Sequence, residues 1–137
     1  LLYSQLLKVK KIQKIRKKNW NFIKNLIDKL NTKKFYLIES NKKSTSAYHI
    51  LGLIFKTIVL ANKFKETFQK KKIAATFHYV PLHKSKMGKK YCNYALPITE
   101  NIYNKVVRLP LYSEMTSKEL LKISSLIKDF LSRNDNR

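Results

Sequence analysis

The densest run of side chains able to do chemistry is Thr76-Phe77-His78-Tyr79-Val80-Pro81-Leu82-His83. Imidazole and phenol both donate and accept hydrogen bonds near neutral pH, which suits sugar hydroxyls and phosphate oxygens. Arg108 adds a guanidinium that can grip a phosphate or simply pair structurally. Ordinary aromatic packing at a strand end is the competing explanation of the run. A metal site would need a third ligand, and none stands at suitable spacing from His78 and His83. His49 lies in a strongly apolar stretch and is expected to be a hydrogen-bonded core histidine. Trp20 is expected to pack in a core or at a domain interface, and Cys92 to be an inert small residue.

Composition narrows the chemistry further. The single cysteine excludes an intrachain disulfide and a cysteine-based zinc site. With two glycines, Gly52 and Gly88, neither a Walker loop nor a G-x-G-x-x-G turn can be built. No apolar run approaches the roughly 18 residues of a spanning helix, and no cleavable signal is visible. The 137 residues make one domain or part of one. They begin on Leu1 rather than Met and enter directly on a helical pattern, so an N-terminal part is expected to precede them.

The elements that must position these residues follow from periodicity. Across residues 1–30, Leu2, Leu6, Val9, Ile12, Trp20, Ile23, Ile27 and Leu30 fall within about 120° of arc at helical spacing. The lysines lie mostly across from them, so one long amphipathic helix is expected. Residues 31–47 read as a polar loop with a short strand near Phe35–Ile38. Tyr48–Phe55 and Ile73–Val80 read as strands, the second alternating in facing and stopped by Pro81. Between them Asn62 is expected to cap a helix to about Lys71, with Phe64 and Phe68 inward. Residues 81–97 read as an irregular loop. Thr99 is expected to cap a short helix to Lys105, followed by a strand at Val106–Leu109. Thr116 and Glu119 form a capping box for a last helix to about Leu131, with a polar tail at 132–137. The order predicts a small two-layer α/β sandwich of 3–4 strands, with a long N-terminal helix and a C-terminal helix.

The formal net charge of +22 first suggests nucleic acid. The excess, however, is made of 26 lysines and 4 arginines, beside 11 asparagines and 13 isoleucines. These residues share A/T-rich codons, so compositional drift accounts for much of the charge. Recognition of bases and phosphates favours the forked guanidinium of arginine. A nucleic-acid partner is therefore not expected. The alternative is a free-standing Lys-rich module binding RNA or an anionic membrane surface, resting on 11 Lys+Arg against Asp28 alone in residues 1–34.

His78-Tyr79-Val80-Pro81-Leu82-His83, then Ser85 and Gly88, resembles the H-Y-x-P-L-H-x-S-x-x-G motif of DegT/StrS-family nucleotide-sugar aminotransferases. Other segments resemble the family in the same order: Tyr3-Ser4-Gln5-Leu6 with Arg16, Trp20 and Phe22; His49-Ile50; Leu96-Pro97-Ile98-Thr99-Glu100; and Val107-Arg108-Leu109-Pro110-Leu111-Tyr112 with Thr116. The resemblance covers nearly the whole chain. The sequence departs from the pattern after Ser85, where Lys86 or Met87 stands in place of a frequent proline, at Cys92-Asn93-Tyr94, and in a shortened 31–47 region.

The resemblance implies the C-terminal small domain of a fold-type I pyridoxal-phosphate aminotransferase. Residues 1–34 would be the helix leading into it, 35–131 the small domain and 132–137 a tail. It implies that the lysine forming the Schiff base with pyridoxal phosphate lies upstream of Leu1, so that the chain carries no catalytic residue of its own and is inactive alone. It implies contacts to a nucleotide-linked sugar from His78, Tyr79 and His83, with Arg108 a further candidate. For the complete enzyme it implies an amino-acid amino donor, a homodimer, a cytoplasmic location and a dTDP-4-keto-6-deoxyhexose type of substrate. The setting implied is cell-surface polysaccharide, including lipopolysaccharide, biosynthesis.

Overall fold

A computed structural model describes residues 2–41, 43–91 and 94–134. Two helices, α1 (Leu2–Leu6) and α2 (Val9–Leu30), replace the single N-terminal helix expected, because the chain makes a turn at Leu7–Lys8. Strands β1 (Phe35–Leu37) and β2 (Leu51–Phe55) lead to α3 (Ile58–Lys70). Two short 3-10 turns, Leu82–Lys84 and Gly88–Lys90, precede α4 (Pro97–Tyr103), β3 (Val106–Leu109) and α5 (Ser117–Asn134). The strands form one antiparallel sheet in the order β1-β2-β3. Helices α2 and α3 pack on α5, and α3 also packs on β2, giving the helical layer over the sheet. The expected α/β sandwich is therefore present, with a three-stranded sheet.

Burial explains the arrangement. Trp20, Ile23 and Ile27 on α2, Phe64 and Phe68 on α3, and Ile123, Ile127 and Phe130 on α5 converge on Leu51, Leu53 and Phe55 of β2. At the centre Phe64 stacks on Phe68 at 4.4 Å and meets Phe130 edge-on at 5.0 Å, geometries that aromatic quadrupoles favour. Helix α2 ends at Asn31, whose left-handed conformation suits asparagine. The capping box forms as read: Glu119 N–H donates to Thr116 Oγ1 at 3.3 Å, and Thr116 N–H donates to Glu119 Oε2 at 2.8 Å.

Several boundaries differ from the sequence reading. Thr57, not Asn62, caps α3, its hydroxyl accepting from Leu60 N–H, so the helix begins a turn earlier. Pro97 at the first position of α4 makes Leu96 its cap instead of Thr99, since proline is pre-set for a helix start. Helix α5 runs on to Asn134, into the expected tail, and residues 135–137 lie outside the described residues. The expected strand at Ile73–Val80 is reduced to one bridge, Thr76 with Arg108. Its alternation is real in sequence, but Phe77 and Tyr79 are exposed because no layer among the described residues covers that side. Leu2, Tyr3, Leu6, Leu7 and Val9 are exposed for the same reason: the apolar stripe outruns the core. No helix among the described residues is long and apolar enough to cross a membrane.

Candidate functional site

The site is built on the edge of β3. Arg108 lies opposite Gly52 of β2 on one side and opposite Thr76 on the other. Thr76 fixes the start of an extended segment, and His78 and Tyr79 follow two and three residues later. The Arg108 guanidinium lies 5.8 Å from the Tyr79 ring centre, at cation–π range. The rings of His78 and Tyr79 are 4.6 Å apart. The structure thus brings together His78, Tyr79 and Arg108 from two separate stretches of sequence.

Beneath them is a cavity of about 220 Å³ whose wall includes His78, Arg108, His49 and Trp20. Gly52 and Ile38 complete its floor; a Cβ on residue 52 would come within 2.8 Å of Ile38 Cδ1. His78 Nδ1 is buried without a hydrogen-bond partner, the condition in which a ligand or water is normally found. Burial first, then the positive charge of Arg108 and the proximity of His49, hold the His78 imidazole below its ordinary pKa of 6.5. The ring is therefore neutral near pH 7 and can both donate and accept. A wider apolar groove of about 580 Å³ continues from His78 between Tyr79, Val80 and Leu82 on one wall and Ile98, Ile102 and Tyr103 on the other.

His83 is placed differently. Its side chain is 9% exposed, lines neither of these cavities, and lies with Nε2 3.3 Å from Glu100 Oε1. His49 corrects the expectation of a core histidine. It precedes β2, is exposed, and lines the cavity, because the strand starts at Leu51 rather than Tyr48. The signal for His49 was its position at the start of a β-prone run, where strand ends meet loops. Trp20 packs as expected, edge-on to Tyr48 at 5.6 Å. Cys92 lies outside the described residues. A separate cavity of about 260 Å³ near Tyr112, Glu119 and Lys122 holds none of the candidate residues. No group of three metal-ligating side chains occurs among the described residues. Exposed lysines are spread over α2, α3, the 3-10 turn at Gly88–Lys90 and α5 rather than gathered on one element.

Comparison with known proteins supplies the wider frame. The family model described as DegT/DnrJ/EryC1/StrS aminotransferase matches residues 1–128. An uncharacterized protein of Methanocaldococcus jannaschii is 27% identical over 96 residues, which are 68% of this chain and 25% of that protein. Among solved structures, the Helicobacter pylori aminotransferase PseC, involved in the biosynthesis of pseudoaminic acid, superposes with a TM-score of 0.80 at 22% identity, covering 95% of this chain and 36% of its own. The aminotransferase TlmJ of Streptoalloteichus hindustanus gives 0.81 at 15% identity, covering 96% and 35%. A Streptococcus pneumoniae protein described as a sugar aminotransferase, in its PLP form, gives 0.81 at 16% identity, covering 96% and 34%. The chain thus spans about a quarter of that curated relative and about a third of these solved chains. Members of the matched family are pyridoxal-phosphate enzymes. Such enzymes hold the cofactor through a lysine amine, and no lysine lines either cavity at His78. The residues at this site do not fit the cofactor, and no step of its chemistry is assigned to them.

Proposed function

Because the chain belongs to the DegT/DnrJ/EryC1/StrS aminotransferase family, we propose that it is the substrate-gripping small domain of a nucleotide-sugar aminotransferase. The reading is carried by the grouping of three side chains: His78 and Arg108 line one cavity, His78 and Tyr79 line the adjoining groove, and His78 Nδ1 is buried without a hydrogen-bond partner. In this reading Arg108 attracts a phosphate oxygen of a nucleotide-linked keto sugar of the dTDP-4-keto-6-deoxyhexose type. Neutral His78 and the Tyr79 phenol orient the sugar hydroxyls by hydrogen bonds. His83 belongs to the same motif and serves the site through its loop.

The cofactor lysine and its pyridoxal phosphate belong to a preceding large domain in this reading. Residues 1–34 are then the connecting helix and 35–131 the small domain. The exposed stripe Leu2, Tyr3, Leu6, Leu7 and Val9 is surface that such a domain would cover. The complete enzyme would use an amino-acid donor as a cytoplasmic homodimer serving cell-surface polysaccharide synthesis. The chain of 137 residues alone would be inactive.

The test joins the chain to its preceding coding sequence and assays amination of a dTDP-4-keto-6-deoxyhexose with glutamate. Turnover by the joined protein, none by the chain alone, and at least a tenfold lower kcat/KM in His78→Ala are expected; a tenfold loss corresponds to about 1.4 kcal/mol. Full activity of His78→Ala and Arg108→Ala in the joined protein would reject the site.

A further inference from the structure

The motif that presents His78 and Tyr79 continues through three residues that line neither cavity: His83, Ser85 and Gly88. Each has a structural partner. Ser85 Oγ donates to Leu82 O at 2.7 Å and accepts from Gly88 N–H at 2.9 Å. A Cβ on residue 88 would fall 1.7 Å from Leu82 O, so the turn closes only around glycine. His83 Nε2 lies 3.3 Å from Glu100 Oε1, a bond the imidazole donates. The same oxygen accepts from Leu96 N–H at 3.3 Å, and Oε2 takes Lys84 Nζ at 2.6 Å. Lys84 Nζ also lies 5.4 Å from the Tyr103 ring centre. One carboxylate on α4 therefore gathers two consecutive residues of the 82–90 loop.

What lies between the anchors gives this meaning. Thr76 is fixed to Arg108 by two backbone hydrogen bonds. After it, residues 77–80 make no backbone hydrogen bond to another element among the described residues. The next attachments are buried Pro81 and the His83–Glu100 contact. His78 and Tyr79 thus sit on a short span secured at both ends, and the two walls of the apolar groove, Val80–Leu82 and Ile98–Tyr103, are the parts that Glu100 joins.

We propose that His83 is a positioning residue: bonded to Glu100 of α4, it clamps the far end of the span that presents His78 and Tyr79, and acts from outside the ligand cavity. Its functional consequence rests on the reading that His78 and Tyr79 take the ligand; the clamp itself is independent of that reading.

The experiment is NMR on the 137-residue chain and three variants: His83→Ala, Glu100→Gln and His83→Gln. Two quantities are read, the native-state exchange of the Ser85, Lys89 and Tyr91 amides and the ring-to-ring NOE between His78 and Tyr79. His83→Ala and Glu100→Gln should speed loop exchange roughly three- to tenfold, with α5 amides unchanged. They should also at least about halve the NOE, which loosening of the loop alone would not move. His83→Gln, which keeps a donor for Glu100, should restore both. An unchanged NOE in His83→Ala and Glu100→Gln, or failure of His83→Gln to rescue, overturns the proposal. A parallel titration with dTDP separates the two readings. Variants that behave as stated while dTDP leaves His78 and Tyr79 unmoved uphold the clamp and reject the ligand site.

Discussion

Thr76 and Arg108 exchange two backbone hydrogen bonds, Thr76 N–H to Arg108 O at 3.1 Å and Arg108 N–H to Thr76 O at 2.7 Å. This one rung is all that remains of a fourth strand, and it sets His78 and Tyr79 beside the Arg108 side chain. An edge strand normally offers its free groups to further pairing. Here the ladder stops and the chain turns its aromatic side chains to a cavity.

Arg108 is expected to act through its fork as well as its charge. Arg108→Lys keeps a cation but loses the forked guanidinium that can make bidentate contact and that lies 5.8 Å from the Tyr79 ring centre. Calorimetry should find dTDP affinity lowered about tenfold in Arg108→Lys and further in Arg108→Gln. Equal affinity of Arg108→Lys and the parent chain would show that charge alone suffices.

The His78 imidazole is held below 6.5 by burial, then by Arg108 and His49. In the unfolded chain it binds a proton more readily, so its neutral form supports folding fully above pH 6.5. That support declines as pH falls below 6.5 through the folded pKa. A bound diphosphate reverses the bias by favouring imidazolium. An NMR titration should show the His78 pKa rising when dTDP is added; no rise would place the diphosphate away from His78.

Glu119 accepts from the Tyr112 hydroxyl at 2.6 Å and from Thr116, and these bonds lower its carboxyl pKa to about 2. The group is depressed on folding, so its support is complete above its ordinary 4.5 and fades as pH falls toward 2. Glu119→Gln should lower the melting temperature by a few degrees at pH 7 and flatten its acid decline, as followed by circular dichroism.

Gly88→Ala meets a backbone carbonyl that cannot swing aside. Urea unfolding should show a loss of about 1–3 kcal/mol. The amides around Ser85 should lose protection before those of α5.

Phe64 is fully buried among Phe35, Phe55, Phe68 and Phe130. Phe64→Ala should cost about 3–5 kcal/mol, a large share of the roughly 5–15 kcal/mol that holds a small domain together. Thermal denaturation should find the variant largely unfolded at 37 °C.

Much of this architecture was legible because local signals and burial agree. The Thr116–Glu119 box, the Phe64–Phe68 pair and the inward Leu120, Ile123, Ile127 and Phe130 of α5 follow from periodicity and capping alone. Ile73–Val80 misled because alternation reports apolarity, while a strand also needs a partner edge and a covering layer. Asn62 misled because Thr57 offers a cap one turn earlier, after β2 ends at Phe55. At the site, the joining of Arg108 to Tyr79 across a long stretch of chain has no local signature. The partnership of His83 with Glu100 is also tertiary, although both residues stand in the motifs that mark the family. His49 was hidden by its apolar neighbours, since hydropathy does not say which residue of a run falls at the strand's open end.

The sparse carboxylates give the chain an uneven mutational tolerance. Glu39 and Asp28 meet on Lys24, Glu100 joins α4 to the 82–90 loop, and Glu119 ties Tyr112 to the start of α5. With 26 lysines and only eight acidic residues, most cations have no such appointment while several anions hold one junction each. Lysine codons are then free to wander over generations with little effect on folding. A single acid-to-lysine change at Glu100 or Glu119 removes a fastening that no other acid among the described residues duplicates. Exchange of an acid for lysine is therefore felt most at these few positions, where one carboxylate holds a junction between elements.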